Sequence, residues 1–204
     1  MQITVHGWKK IKYYYIIILV VCLLYPNQVK KTYHKNVSYA NRGMSLEHLI
    51  NETNKYYLVN DIALIYKKPT PIAIKSTEYL ANKIKTTGYL QAKSTLDYVG
   101  LYQGKYLDFD AKSTLNKTSL PLNNIHDHQL KHMRLVIKHQ GISFLLIEIR
   151  EQIYLLTGED LLAFIDHNQR KSIPYDYILN KGHLIKIGLN PSIDYLKIIK
   201  NIYF

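Results

Sequence analysis

Tyr98-Val99-Gly100-Leu101-Tyr102-Gln103-Gly104-Lys105-Tyr106-Leu107-Asp108-Phe109-Asp110-Ala111-Lys112 reads as two strands joined at Gln103-Gly104. Runs of Tyr, Val, Leu and Phe flanking a short Gly-containing turn are a hairpin signal. Side chains alternate along a strand, so Leu107, Phe109 and Ala111 share one face while Asp108, Asp110 and Lys112 share the other. The apolar face needs a cover, and the charged face needs solvent, a partner or a ligand. The hairpin thus predicts a sheet with helices packed on it and chemistry at its rim.

Working outward, the spacing predicts a helix from His126 to Gln140 closed by Gly141, with Leu130, Met133 and Ile137 on one face. Ile142-Ser143-Phe144-Leu145-Leu146-Ile147 is continuous enough to be a central strand covered on both sides, with Ile153-Tyr154-Leu155-Leu156 pairing beside it. Thr157 and Asp160 form a capping pair that opens a further helix. In the other direction, Ser45 caps a helix through Leu46, Leu49, Ile50 and Tyr57, and Ile62 to Tyr66 is a short strand broken by Lys67-Lys68-Pro69-Thr70-Pro71. Residues 75–93 carry Lys75, Lys83, Lys85 and Lys93 without a sustained period and read as a projecting loop or arm. The stretches 112–124 and 170–174 read as loops. The sum is an α/β domain, a mixed sheet with helices against its faces.

The chain has 204 residues, enough for one domain with tails, and a net charge of +12 that favours a polyanionic partner. Lys9, Lys10, Lys12, Lys30, Lys31 and Lys35 supply part of that charge before any Asp or Glu occurs. The single Cys22 excludes a disulfide framework, fits a reducing compartment and leaves metal binding to oxygen and histidine donors. Residues 13–25 are all apolar or Tyr, short of the roughly 20 residues that a spanning helix needs. Three readings of residues 1–24 follow: a leader from an upstream start codon, which we prefer, a membrane tether, or an export signal. A flexible basic segment over 25–43 and a catalytic domain over 44–204 complete the expected organisation.

Asp97 stands just before the first strand of the hairpin, and Asp110 and Lys112 lie about 7 Å apart on one face of the second. Phosphodiester hydrolysis needs a hard cation held by oxygens, an activated water and positive charge near the phosphorane-like transition state. Asp97 and Asp110 suit the first need and Lys112 the last. Thr95, read as sharing Asp97's strand face, offers a hydroxyl, and Gln129, at the inward edge of the following helix, completes a coordination shell. The competing reading is a structural Asp–Lys pair at a sheet rim. His128 and His132 have zinc spacing beside His126, but a fourth ligand is missing.

Asn41-Arg42-Gly43-Met44-Ser45-Leu46-Glu47, Asn51-Glu52-Thr53-Asn54-Lys55-Tyr56-Tyr57, Lys67-Lys68-Pro69-Thr70-Pro71, Ser94-Thr95-Leu96-Asp97-Tyr98, Asn116-Lys117-Thr118-Ser119 and Ile193-Asp194-Tyr195 closely resemble the RecU Holliday junction resolvases. The likeness runs in order from Tyr25 to Phe204. It implies a restriction-endonuclease-like fold, a homodimer in the cytoplasm, and magnesium-dependent paired incision of four-way junctions in recombination and repair. It makes Thr95, Asp97, Asp110 and Gln129 the magnesium site and Lys112 the transition-state stabiliser. It makes residues 75–93 a stalk entering the junction, with Lys67, Lys68, Lys83 and Lys85 as candidate DNA contacts. Recombinase and branch-migration helicase are implied partners, and no stable membrane association is expected. The chain departs from the pattern at Asp110 and Ser113, where the family tends to carry Glu. These departures keep open an alternative, a junction-binding accessory protein that does not cut and modulates the recombinase.

Overall fold

A computed structural model describes residues 45–80, 83–90 and 95–204, so the leader (1–24), the basic segment (25–43), Lys93 and Ser94 lie outside the described residues. Gly43–Phe204 forms one unit. Its first helix, α1 (Leu46–Val59), is capped by the Ser45 side chain, which accepts from the His48 N–H, and it buries Leu46, Leu49, Ile50, Thr53 and Tyr57 along one face. Then come β1 (Leu64–Lys67), an arm of β2 (Ile72–Leu80) and β3 (Lys83–Leu90), and the hairpin β4 (Tyr98–Tyr102) and β5 (Lys105–Ser113). Gln103 and Gly104 both take positive φ, 47° and 79°, as a tight hairpin turn of this hand requires.

After a short β6 (Ser119–Pro121) the chain enters α2 (Asp127–Lys138), which carries it back to β7 (Ile142–Ile149), parallel to β5 with Asp110 opposite Leu145. Such a parallel return requires a crossover, and α2 provides it. β8 (Gln152–Thr157) follows, then α3 (Gly158–His167), β9 (Ser172–Pro174), α4 (Tyr175–Lys181), β10 (His183–Ile185) and α5 (Tyr195–Tyr203). The central sheet has strand order β1-β4-β5-β7-β8-β10, antiparallel except for β5–β7. One face packs α1 and α5 against Leu107, Phe109, Phe144 and Leu146. The other packs Met133 of α2, Leu161 of α3 and Ile178 of α4 against Leu145, Ile147 and Leu156. Tyr98, Phe109 and Phe144 stack through three neighbouring strands with ring centroids 4.9 and 4.5 Å apart. This is the mixed sheet flanked by helices that the sequence predicts.

The structure corrects three local readings. Residues 119–121 and 172–174, read as loop, pair as β6 with β9. They are too short for alternation to show. The arm, read as aperiodic, is a β-hairpin whose register shifts between Ile74 and Ser76. That bulge moves the apolar positions from Ile72 and Ile74 to Thr77 and Tyr79, which breaks the period of two in sequence while keeping one face continuous in space. Gly88 sits opposite the kink, where a Cβ would fall 2.6 Å from the Ala73 carbonyl oxygen. The third correction concerns Thr95 and Asp97, which lie in irregular chain before β4 and share no strand face, with Leu96 buried between them.

Candidate active site

The alternation of β5 places Asp110 and Lys112 on the side covered by α2, and the central position of the strand buries Asp110 almost completely. Its Oδ2 accepts from Lys112 Nζ at 2.9 Å and from Gln129 Nε2, while its Oδ1 accepts from the Ala111 N–H at 2.7 Å. Gln129 is itself held by its place in α2, since its Oε1 accepts from the His126 N–H at 3.1 Å and closes a capping box at the helix start. Gln129 therefore turns its nitrogen, not its oxygen, toward Asp110. Its oxygen faces the His126 N–H instead.

Asp97 approaches from the chain end that leads into β4. Its carbonyl oxygen accepts from the Lys68 N–H at 2.7 Å, which ties this segment to the chain following β1. With Glu47, Lys67, Tyr98, Ser113 and Glu148 it lines a cleft of about 260 Å³. The Tyr98 phenol is buried at the edge of this cleft. Its pKa is raised first by burial and then by the negative charges of Glu47, Asp97 and Asp110. Its hydroxyl has no hydrogen-bond partner. Thr95 is half-buried nearby, and its hydroxyl donates to the Leu96 carbonyl at 3.4 Å.

The donor atoms gathered here are oxygens, as a hard divalent cation requires. Among the described residues no three His, Cys, Asp or Glu are arranged to hold a metal ion. Asp97 and Asp110 are donors of the kind magnesium takes, since it keeps several waters and adds phosphate oxygens as further ligands. The zinc reading of the histidines fails: His126 stacks on His128 with ring centroids 5.4 Å apart, and His132 turns instead to Asp108.

Sequence reasoning gave Asp108 and Glu47 no role and read His132 only as a zinc candidate. Asp108 was on the right strand face but unused; its Oδ2 accepts from Lys68 Nζ at 2.6 Å and Tyr106 O–H at 2.7 Å and contacts His132 Nε2 at 3.0 Å. Burial, then the bond to Asp108, raises the Tyr106 pKa. Glu47 pairs with Lys67 Nζ at 2.5 Å. The side chains of Lys67 and Lys68, expected against DNA, are thus paired with carboxylates; Lys83 and Lys85 are exposed on the arm, with Lys85 3.6 Å from Glu78 across the ladder. Ser113, where Glu was expected, donates to Glu148 at 2.7 Å.

The family model for Recombination protein U matches residues 41–201, most of the described domain. The chain belongs to the RecU family. A RecU relative from Bacillus thuringiensis (strain Al Hakam), named Holliday junction resolvase RecU, is 44% identical over 195 residues, covering 88% of this chain and 98% of that one. Another so named, from Bacillus pumilus (strain SAFR-032), is 44% identical over 184 residues, covering 88% and 90%. Among solved structures, the Holliday junction resolvase Hjc from Archaeoglobus fulgidus aligns with a TM-score of 0.37 at 10% identity, over 66% of this chain and 94% of that one. The RecU match spans α1, both hairpins and α2, and so includes Asp97, Asp110, Lys112 and Gln129.

Proposed function

We propose that the protein is a Holliday junction resolvase, an endonuclease that cuts four-way DNA junctions at the Asp97–Asp110–Lys112 site. Family membership supports the reading, as do the names of relatives matched over nearly their whole length. The observation that carries it is the ammonium of Lys112 lying 2.9 Å from a buried carboxylate that Gln129 also grips, with Asp97 lining an open cleft at the start of the same hairpin. A merely structural pair at a rim needs neither the second donor nor the neighbouring acids.

Asp97 and Asp110, with the Thr95 hydroxyl alongside, are the residues that would hold magnesium. When bound there, it polarises the scissile phosphate and lowers the pKa of the attacking water. Water attacks phosphorus in line, the bond to the 3′ oxygen breaks, and 5′-phosphate and 3′-hydroxyl ends result. Lys112 is held ready by Asp110, so its charge meets the growing negative charge of the phosphorane-like transition state without reorganisation. Gln129 fixes the carboxylate plane of Asp110 and thereby aims Lys112.

Two copies make the paired cuts, and the arm supports their pairing. Ile72, Ile74, Thr77, Tyr79, Ile84 and Thr86 share one exposed face of β2–β3, while Glu78, Lys83, Lys85 and Tyr89 share the other. A lone two-stranded hairpin with an apolar face is marginal in water and gains most from covering that face, here with a second copy. The lysine-bearing face is left for junction phosphates. No helix among the described residues is long and apolar enough to cross a membrane. We place the protein in the cytoplasm with its DNA, beside the recombinase and the branch-migration helicase.

The test is cleavage of an end-labelled four-way junction by the purified full chain. Symmetric, magnesium-dependent nicks that disappear in Asp97→Ala are expected. Junction binding with no cutting at any magnesium concentration would instead establish the accessory protein, and cutting undiminished in Asp97→Ala would remove the site.

A further inference from the structure

Asp108 is fully buried, and one of its carboxylate oxygens, Oδ1, has no hydrogen-bond partner among the described residues. The other, Oδ2, receives the Lys68 ammonium, the Tyr106 hydroxyl and an edge of His132. Its backbone carbonyl accepts from the Ser143 hydroxyl at 2.9 Å, which locks the residue to β7. Burying such a carboxylate is costly, and an apolar group of similar size often serves stability as well or better. Stability alone therefore does not account for it, but position does.

Three elements meet at this carboxylate. β5 carries Asp108 two residues before Asp110 on the same strand face. α2 contacts both acids from one helix face, through Gln129 to Asp110 and, three residues on, through His132 to Asp108. Lys68 comes from the chain between β1 and β2, at the root of the arm. Its main-chain N–H holds the Asp97 carbonyl at 2.7 Å while its ammonium holds Asp108 at 2.6 Å. One residue at the base of the arm thus grips both acid-bearing segments.

We propose that Lys68 and Asp108 form a positioning latch, which sets Asp97 relative to Asp110 and links the seating of the arm on a junction to the geometry of the catalytic acids. The proposal rests on the reading of Asp97, Asp110 and Lys112 as the catalytic site. It assigns Lys68 to the enzyme's own acids and not to a DNA phosphate. The lysine-bearing face of the arm is exposed at Lys83 and Lys85 and open to the DNA, and Lys68 is where a movement of the arm reaches the sheet.

The experiment compares wild type, Lys68→Met, Lys68→Arg, Asp108→Asn and the Lys68→Met/Asp108→Asn double variant, each as full chain on a labelled four-way junction. Lys68 is at the edge of the cluster, its side chain 21% exposed, and the thermal midpoint of every variant is measured alongside so that a loss of fold is separated from a loss of positioning. Junction affinity is measured in EDTA across a salt series, and the single-turnover rate at saturating protein across a magnesium series. Misplacing catalytic groups by about 1 Å costs on the order of 10²-fold in rate. Lys68→Met is expected to lose rate on that scale and to need more magnesium for half its maximum, with unchanged affinity and salt slope. Lys68→Arg is expected to restore most of the rate, and the double variant to be no slower than Lys68→Met.

A phosphate contact gives the opposite pattern, namely weaker binding, a salt slope reduced by about one, and a wild-type rate at saturation. That result overturns the proposal, as does a lowered thermal midpoint with an unchanged saturated rate. Failure of the underlying reading looks different, since wild type itself would not cut or Asp97→Ala would cut normally.

Discussion

Two of the antiparallel hairpins among the described residues, β4–β5 and β2–β3, stand in opposite circumstance. β4–β5 lies within the sheet, buried on both faces, with Phe109, Asp108 and Asp110 essentially inaccessible. β2–β3 projects from it, with Tyr79 82% exposed and Ile84 67% exposed. The first holds charged groups to fractions of an ångström because every neighbour is packed. The second can adapt to a partner because almost nothing holds it except its own ladder. A resolvase needs both properties, a rigid centre for hydrolysis and a compliant element for a branched substrate.

Equal insults to the two hairpins give the sharpest test of that contrast. Phe109→Ala removes the middle ring of the Tyr98–Phe109–Phe144 stack and is expected to cost about 3–5 kcal/mol in urea unfolding. Survival of the domain with little loss would mean that the central hairpin is less tightly packed than its burial implies. Lys112→Ala leaves this core intact and is expected to lower the single-turnover cleavage rate by about 10²–10³-fold with an unchanged melting curve. A rate within a few-fold of wild type would demote the lysine to a structural partner of Asp110.

In the arm, Tyr79→Ala deletes comparable surface but should change monomer stability by no more than about 0.5 kcal/mol. Its effect is expected in sedimentation, as weaker self-association, and unaltered self-association would show that this face is not where two copies meet. The smallest effect belongs to the surface pair joining α2 to α3, Arg134 Nη1 to Asp166 Oδ2 at 3.0 Å. The hydrogen bond from Arg134 holds the Asp166 pKa below its ordinary 3.8. A depressed folded value means stabilisation that is present above the unfolded pKa and lost as pH falls through the folded one. Arg134→Ala is therefore expected to lower the melting midpoint slightly at neutral pH, with the gap to wild type closing in acid below pH 3.8. A gap that persisted there would assign the effect to packing.

The central hairpin was legible because its alternation is unbroken from Leu107 to Lys112 and its turn contains a glycine, Gly104, at positive φ. The Thr157 cap, the helix from His126 and the continuous apolar run from Ile142 were readable for the same reason, that local chemistry and tertiary role coincide. The arm was not, because one bulge shifts the apolar phase. The roles of Lys67 and Lys68 were obscured differently. A lysine beside prolines looks like a phosphate contact until the fold brings Glu47 and Asp108 to meet it, from 20 and 40 residues away.

What the residues determined by themselves was the set of elements, the face on which Asp110 and Lys112 stand, and, through a long run of matching segments, the family. These depend on spacing along the chain, which is written in the order of the amino acids. Only the tertiary structure decided that Gln129 offers its nitrogen, that Asp108 is buried under three donors, and that one lysine at the base of the arm touches both acid-bearing segments. Those facts depend on which distant side chains share a few ångströms of space, and packing alone settles that.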